Sequence, residues 1–476
     1  MSFLIYDVAL LILFAIGIGV FLYSRRKRLQ KEGLLYLYKT SWGIKFINYV
    51  GGKYKRTLSS LSYISVGLGY ILMAVMIYLF GKIIWVYVAM PSVVKAIKVP
   101  PIMPLVPYID KLIPGIPSFY FVYWIIIIAI IAVPHEFFHG IFMRRYGIKI
   151  KSTGFGFFPT FLPIFLAAFV EQDEKSMNSK KKFEQMAVLS AGTFANILTA
   201  ILFFAIMILF FSFAFAPSGV VFDSYSYSFV NPNLINSVNG ISVEDSSYEG
   251  ILNLLSEDGL DLVQTINGNY ILTKELMSSE NSKGFFESNG LVLAYDDAPA
   301  INANLQGAIT KVNGVEIQSV ENLATEIRKY STGDEITITT FLEEEKEQKI
   351  VLGENPYEEG SPWLGVGFNN AQSSGIMGKF YDLVSSFKES HVYYSAKFGA
   401  GSFIYDLLWW TVLISISVAL INMLPMGIFD GGRFFYLTIW GITRNEKIAK
   451  RAFKGITYFL LFLLLVLMVF WAINLF

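Results

Sequence analysis

The stretch AVPHEFFHGI (132–141) places two histidines and a glutamate inside an otherwise apolar run. On a helix, residues four apart share a face, so His135 and His139 project together with Glu136 as their angular neighbour. That spacing lets one helical turn offer two imidazoles to a zinc ion and a carboxylate to the water beside it. The chain has only three histidines and no cysteine, which leaves thiolate ligands and disulfides out. Ionisable groups at membrane depth are costly unless paired, so a purely structural role for all three is the weaker explanation. Pro134 removes one backbone donor just ahead of the motif, either opening the ligand geometry or leaving a tolerated kink.

The elements that carry this motif are membrane spans. Of 476 residues, 54% are hydrophobic and 16% charged, against about 25% charged in soluble domains. Several runs exceed the roughly eighteen apolar residues that cross a bilayer. The fold class is therefore a polytopic α-helical membrane protein, with six spans near 3–23, 62–89, 119–143, 185–215, 403–427 and 455–475. The first run lacks a basic leader and a small-residue cleavage site, so it reads as a span rather than a signal peptide. A net charge of +1 gives no global bias toward nucleic acid.

Basic clusters at Arg25–Arg28, Arg144–Arg145, Lys180–Lys182 and Lys447–Lys454 fall on one side if the spans alternate. By the positive-inside rule that side is cytoplasmic. The N-terminus and residues 217–375 are then extracytoplasmic, and the histidines lie toward the cytoplasmic side of a multi-pass cell-membrane protein.

The expected divisions follow composition. Residues 1–60 hold the first span and a basic segment on the inner membrane surface. Residues 61–118 hold the second span and a proline-rich outer loop, VPPIMPLVPYIDKLIPGIP (99–117). Residues 119–216 carry the HExxH span, its neighbour, and between them a broken apolar stretch at 146–184. That stretch reads equally as a shielded hairpin at the inner face or as an amphipathic surface hairpin. Residues 376–440 hold an amphipathic segment and a span ending in INMLPMGIFDGGRFF (421–435), and 441–476 a cytoplasmic loop and the last span.

Between the spans, 217–375 is soluble in character. LINSVNGISVEDSSYEGIL (234–252) and AITKVNGVEIQSVENLATEI (308–327) read as two copies of strand, VNG turn, short strand and helix. Together they resemble an α+β PDZ-like region, which binds peptide termini or extended segments at a sheet edge.

A catalytic zinc has three protein ligands and an open position. Depth selects the third. His391 precedes the fifth span on the outer side, and Asp406 stands about 36 Å from Asp430 along a straight helix. Asp430 lies at the inner end, level with His135 and His139. An aspartate merely capping a short inner helix is the alternative, and Gly431 and Gly432 are expected to let the backbone turn tightly after it. Should Asp430 fail, the nearest inner carboxylates are Glu171, Asp173 and Glu174.

These residues resemble the site-2 protease family of intramembrane zinc metalloproteases, in a prokaryotic, archaeal-like form. The resemblance rests on HEFFHG (135–140), AAFVEQDE (167–174), AGTFAN (191–196) and NMLPMGIFDGG (422–432), in that order around a PDZ-like insert. Met423 stands where the family pattern has a proline, and Phe429 where it has a leucine. The resemblance implies Zn2+ held by His135, His139 and Asp430, with Glu136 as general base. It implies substrate or oxyanion support from Asn422 and Asn196, for which interhelical hydrogen bonds in the bundle are the alternative. The implied partners are the lipid bilayer and single-span membrane protein substrates. A non-proteolytic peptide-binding scaffold with a structural zinc is the rival, but such a site has no use for Glu136. A transporter is weakened by the lack of paired broken helices.

Overall fold

The computed structural model describes residues 3–32, 35–90, 105–111, 116–157, 166–369, 382 and 385–475. Most of the proline-rich loop and the start of the amphipathic segment at 376 lie outside them. Six described helices are long and apolar enough to cross a membrane. They are α1 (Phe3–Arg25), α3 (Lys55–Ala89), α4 (Phe121–Arg145), α6 (Lys182–Ala214), α7 (Gly401–Asn422) and α9 (Glu446–Leu475). Shorter helices are α2 (Ile44–Lys53), α5 (Glu174–Asn178) and α8 (Asp430–Thr443). In lipid a segment must satisfy its own backbone, so even the β-branched run Ile125–Ile128 is helical. Pro134 sits inside α4 without ending it.

Three span edges differ from expectation by five residues or more, one of them the start of α9 at Glu446 where 455 was expected. Helix α3 begins at Lys55, because polar residues extend a helix past the apolar run that reveals it. Helix α7 stops at Asn422 rather than 427. Pro425 then fixes a series of turns, closed by Met426 N–H to the Leu424 carbonyl and Phe429 N–H to that of Met426.

The chain divides into two compact units, Met1–Phe211 with Ser402–Phe476, and Ser212–Gly401. In the first, the start of α4 is held by another helix. Its N-cap residue Tyr120 makes no side-chain cap bond. The buried Asp7 of α1 accepts instead from the amides of Phe121 (2.7 Å) and Val122 (3.0 Å), and from the Tyr108 hydroxyl (2.9 Å). One carboxylate thus satisfies two helix-end donors that lipid cannot.

The same unit contains an antiparallel sheet of β1 (Leu29–Glu32), β2 (Leu35–Thr40), β3 (Ile150–Phe157) and β4 (Leu166–Gln172), in that order. The broken stretch after α4 is thus a strand pair. Its partners, β1 and β2, fall where the sequence carries no strand pattern. Strand β2 pairs with β3 over long range, Tyr38 opposite Phe155 and Thr40 opposite Thr153, while β1 pairs locally with β2, Leu29 opposite Tyr38. Among the described residues, β4 is one of the sheet's two edges, β1 being the other. Asp173 N–H donates inward to the Lys149 carbonyl, so by alternation Ala168, Val170 and Gln172 turn their amides and carbonyls outward. Ile47, Phe142, Met177, Met423 and Phe434 share one buried cluster that ties α2, α4, α5 and α8 together.

The second unit holds two six-stranded sheet systems. In one, Ile235–Val238 turns through Asn239–Gly240 into Ile241–Ser242, followed by the helix Tyr248–Leu254. In the other, Ala308–Val312 turns through Asn313–Gly314 into Val315–Glu316, followed by the helix Val320–Ile327. Both Asn-Gly pairs have positive φ, 49° and 80° in the first and 47° and 79° in the second, the tight hairpin turn that Asn-Gly favours. Asn239 Oδ1 accepts from the Leu262 amide (2.9 Å), and Asn313 Oδ1 from the Thr337 amide (2.7 Å). The two stretches read as copies therefore share a turn, a helix cap (Ser247, Ser319) and a cross-strand anchor.

Candidate metal centre

His135 and His139 lie one turn apart on α4, both buried, with their Nε2 atoms 3.2 Å apart. Asp430 Oδ2 lies 3.2 Å from His139 Nε2 and 3.7 Å from His135 Nε2. A tetrahedral ion with bonds of about 2.0–2.2 Å separates its donor atoms by roughly 3.3–3.6 Å. Donor types and spacing both fit zinc. Gly192 of α6 supports the fit, because a Cβ there would collide with Nε2 of both histidines. Its bare Cα keeps open the space in front of the two nitrogens.

The imidazoles are fixed from behind. His139 Nδ1 lies 2.7 Å from the Val188 carbonyl. A carbonyl only accepts, so Nδ1 carries the proton and Nε2 presents a lone pair. His135 Nδ1 lies 3.0 Å from the Asn196 side-chain amide. Glu136 Oε2 accepts from the outward-facing amide of Val170 on β4, over 2.9 Å.

Asp430 is not a helix cap. It is the first residue of α8, and the N-cap Phe429 makes no side-chain cap bond. Nor do Gly431 and Gly432 form a left-handed turn, since neither has a positive φ. They sit in the first turn of α8, where a Cβ on either would strike backbone atoms of Met423–Gly427. The two glycines let α8 press against the turns after α7, and that contact sets the position of Asp430.

The other candidates are engaged elsewhere. Glu171 pairs with Lys39 at 2.8 Å and accepts from Ser152. Burial alone raises its carboxyl, but these partners outweigh that and hold it below the usual carboxylate range. Asp173 caps α5 by accepting from the Ser176 amide, and Glu174 pairs with Arg433 at 3.2 Å. His391 Nε2 lies 2.8 Å from Asp223 Oδ2. Asp406 lies near the start of α7, and Asn422 is its half-buried last residue. Among the described residues, neither makes a side-chain hydrogen bond to His135, His139 or Asp430 that would join it to the group. Sequence reasoning passed over Gly192 and the Val170 amide. Both lie in quoted stretches, AGTFAN and AAFVEQDE, but a backbone donor and a missing side chain leave no chemical type to read.

The model of peptidase family M50 matches residues 123–468, a span that contains all three clustered residues. The chain belongs to peptidase family M50. As a member it is classed with the metalloproteases, and its six apolar helices make it a multi-pass membrane protein. This M50 chain is 28% identical over 222 residues to zinc metalloprotease RasP of Shouchella clausii, covering 40% of this chain and about half (52%) of the relative's length. It is 25% identical over 352 residues to a putative zinc metalloprotease of Clostridium perfringens, covering 70% of this chain and 87% of that one. An uncharacterized protein of Methanocaldococcus jannaschii is 28% identical over 153 residues, covering 31% and 40%.

Proposed function

We propose that this M50 chain is a membrane-embedded zinc metalloprotease that hydrolyses peptide bonds within or next to the spanning segments of other membrane proteins. The observation that carries the reading is the His135–His139–Asp430 group, both histidines buried and Asp430 half-buried, with Glu136 on the next residue of the same helix. A site that only held the fold together would need no carboxylate beside its ligands.

His135, His139 and Asp430 would hold the ion. Zinc, when bound, supplies a Lewis acid that polarises the scissile carbonyl and lowers the pKa of water. Glu136 takes the proton of the attacking water and passes it to the leaving amine. A peptide bond inside a helix is shielded by its own turn, so a spanning substrate must unwind before Glu136 can serve it. The outward edge of β4 would hold the unwound segment as an added strand, with the outward groups of Ala168 and Gln172 on either side of the Val170 amide that anchors Glu136. An isotopically labelled substrate whose bound state stays helical overturns that docking mode.

The PDZ-like region within 217–375 would select extended segments or termini, on the extracytoplasmic side with the N-terminus. Because the chain has no cysteine, single cysteines introduced at Ser256 and at Ser179 test that orientation by labelling from one face. Zinc content measured together with cleavage of a single-span reporter tests the activity. Zinc bound without cleavage would favour the peptide-binding scaffold.

A further inference from the structure

Asn196 is fully buried, and its carboxamide is only half used. Its Nδ2 lies 3.0 Å from His135 Nδ1, while its Oδ1 has no hydrogen-bond partner among the described residues. With Nδ2 donating, His135 Nδ1 is the acceptor, so the proton of a neutral ring sits on Nε2. That proton faces His139 Nε2, 3.2 Å away, whose lone pair is bare because His139 Nδ1 donates to the Val188 carbonyl. Along the line Asn196, His135, His139 and Val188 each donor thus meets an acceptor, while Asp430 Oδ2 faces His139 Nε2 at 3.2 Å as a second lone pair for a cation to share.

A metal ligand cannot carry a proton on its donor nitrogen. If His135 binds through Nε2, its proton must sit on Nδ1, which then needs an acceptor. The acceptor within reach is Asn196 Oδ1, brought round by a half-turn of the carboxamide. The half-turn exchanges one bond for another and leaves one amide atom unpaired in either orientation, so the protein itself barely favours one over the other. We propose that Asn196 is a positioning residue for His135. Its carboxamide follows the tautomer, donating to Nδ1 without metal and accepting from Nδ1–H with metal. The proposal rests on zinc binding by His135 and assigns Asn196 no contact with substrate.

The test uses the full-length detergent-purified protein with zinc alone as the probe. Zinc affinity is read by competition with a chromogenic chelator, and ring protonation by nitrogen-15 spectra of the three histidines. Asn196→Asp can only accept, so it holds Nδ1–H permanently and is expected to match or exceed native zinc affinity. Asn196→Leu keeps the volume but offers no acceptor, and is expected to weaken zinc by about 10–100-fold, the usual loss when a ligand's hydrogen-bond partner is removed. In the native protein, zinc should shift the His135 proton from Nε2 to Nδ1. Native affinity in Asn196→Leu with only turnover reduced would mark a substrate-facing residue and overturn the proposal. The metal-free spectrum keeps the two readings apart. A bare Nδ1 in protein that takes up no zinc sinks the metal site and leaves the hydrogen-bond reading standing, whereas a protonated Nδ1 without zinc sinks the carboxamide switch.

Discussion

The main-chain amide of Val170 donates to Glu136 Oε2 over 2.9 Å, joining one edge of a sheet to the carboxylate beside the paired histidines. An edge amide has no ladder partner, and in a membrane no water to replace it. Glu136 satisfies it and is oriented in return. A strand added along β4 would meet Glu136 at its centre, with the outward groups of Ala168 and Gln172 to either side.

Glu136→Gln keeps the Val170 hydrogen bond through its amide oxygen but cannot accept a proton. Cleavage of a single-span reporter is expected to vanish while zinc content stays near native. Cleavage at the native rate, with metal present, would reject Glu136 as the base.

Asp430→Ala removes the one carboxylate that, among the described residues, groups with both Nε2 atoms, so zinc occupancy and cleavage are both expected to fall away. Asp430→Glu keeps the charge on a longer arm, and partial metal binding with little cleavage is expected. His391→Ala and Asp406→Ala should change neither quantity. Metal analysis by mass spectrometry on all four variants decides the assignment.

Gly192→Ala adds a methyl group that collides with both histidine nitrogens. In a helix interior, alanine is ordinarily favoured over glycine by roughly 1 kcal/mol. Zinc binding is nevertheless expected to be lost while the protein stays folded and monodisperse. Native zinc affinity in this variant would show that the ion does not sit in front of the two Nε2 atoms.

Asp7→Ala strips the first turn of α4 of its cap and leaves buried amides unpaired. A loss of about 2 kcal/mol in stability is expected, in line with lost caps and charged hydrogen bonds, with Asp7→Asn losing less. Thermal unfolding in detergent measures it. A melting temperature unchanged in both variants would show that the carboxylate does not hold α4.

Replacing residues 217–370 by a flexible linker is expected to relax substrate choice more than it lowers cleavage of a minimal substrate. The segment contains no histidine or cysteine, and PDZ folds select peptides without catalytic groups. Complete loss of cleavage on the minimal substrate would assign it a direct part in the reaction.

The sequence by itself determined what is local or what the bilayer demands. The six spans follow from runs of apolar length, and the shared face of His135 and His139 from helical periodicity. Both Asn-Gly hairpins of the second unit follow from the two residue types that accept positive φ. Asp430 was legible through depth, since a span converts sequence position into distance across the membrane. Only tertiary structure decided the rest. Strand β2 is fixed by β3, 113 residues away at Thr40 and Thr153, and carries β1 as its local hairpin partner. Asp430 reaches the histidines because α7 ends at Asn422 and two glycines let α8 close on the turns that follow. Gly192, the Val188 carbonyl and the Val170 amide contribute backbone or empty space, which every residue can supply and no residue type announces. Their roles appear only once three separate segments meet around one pair of imidazoles.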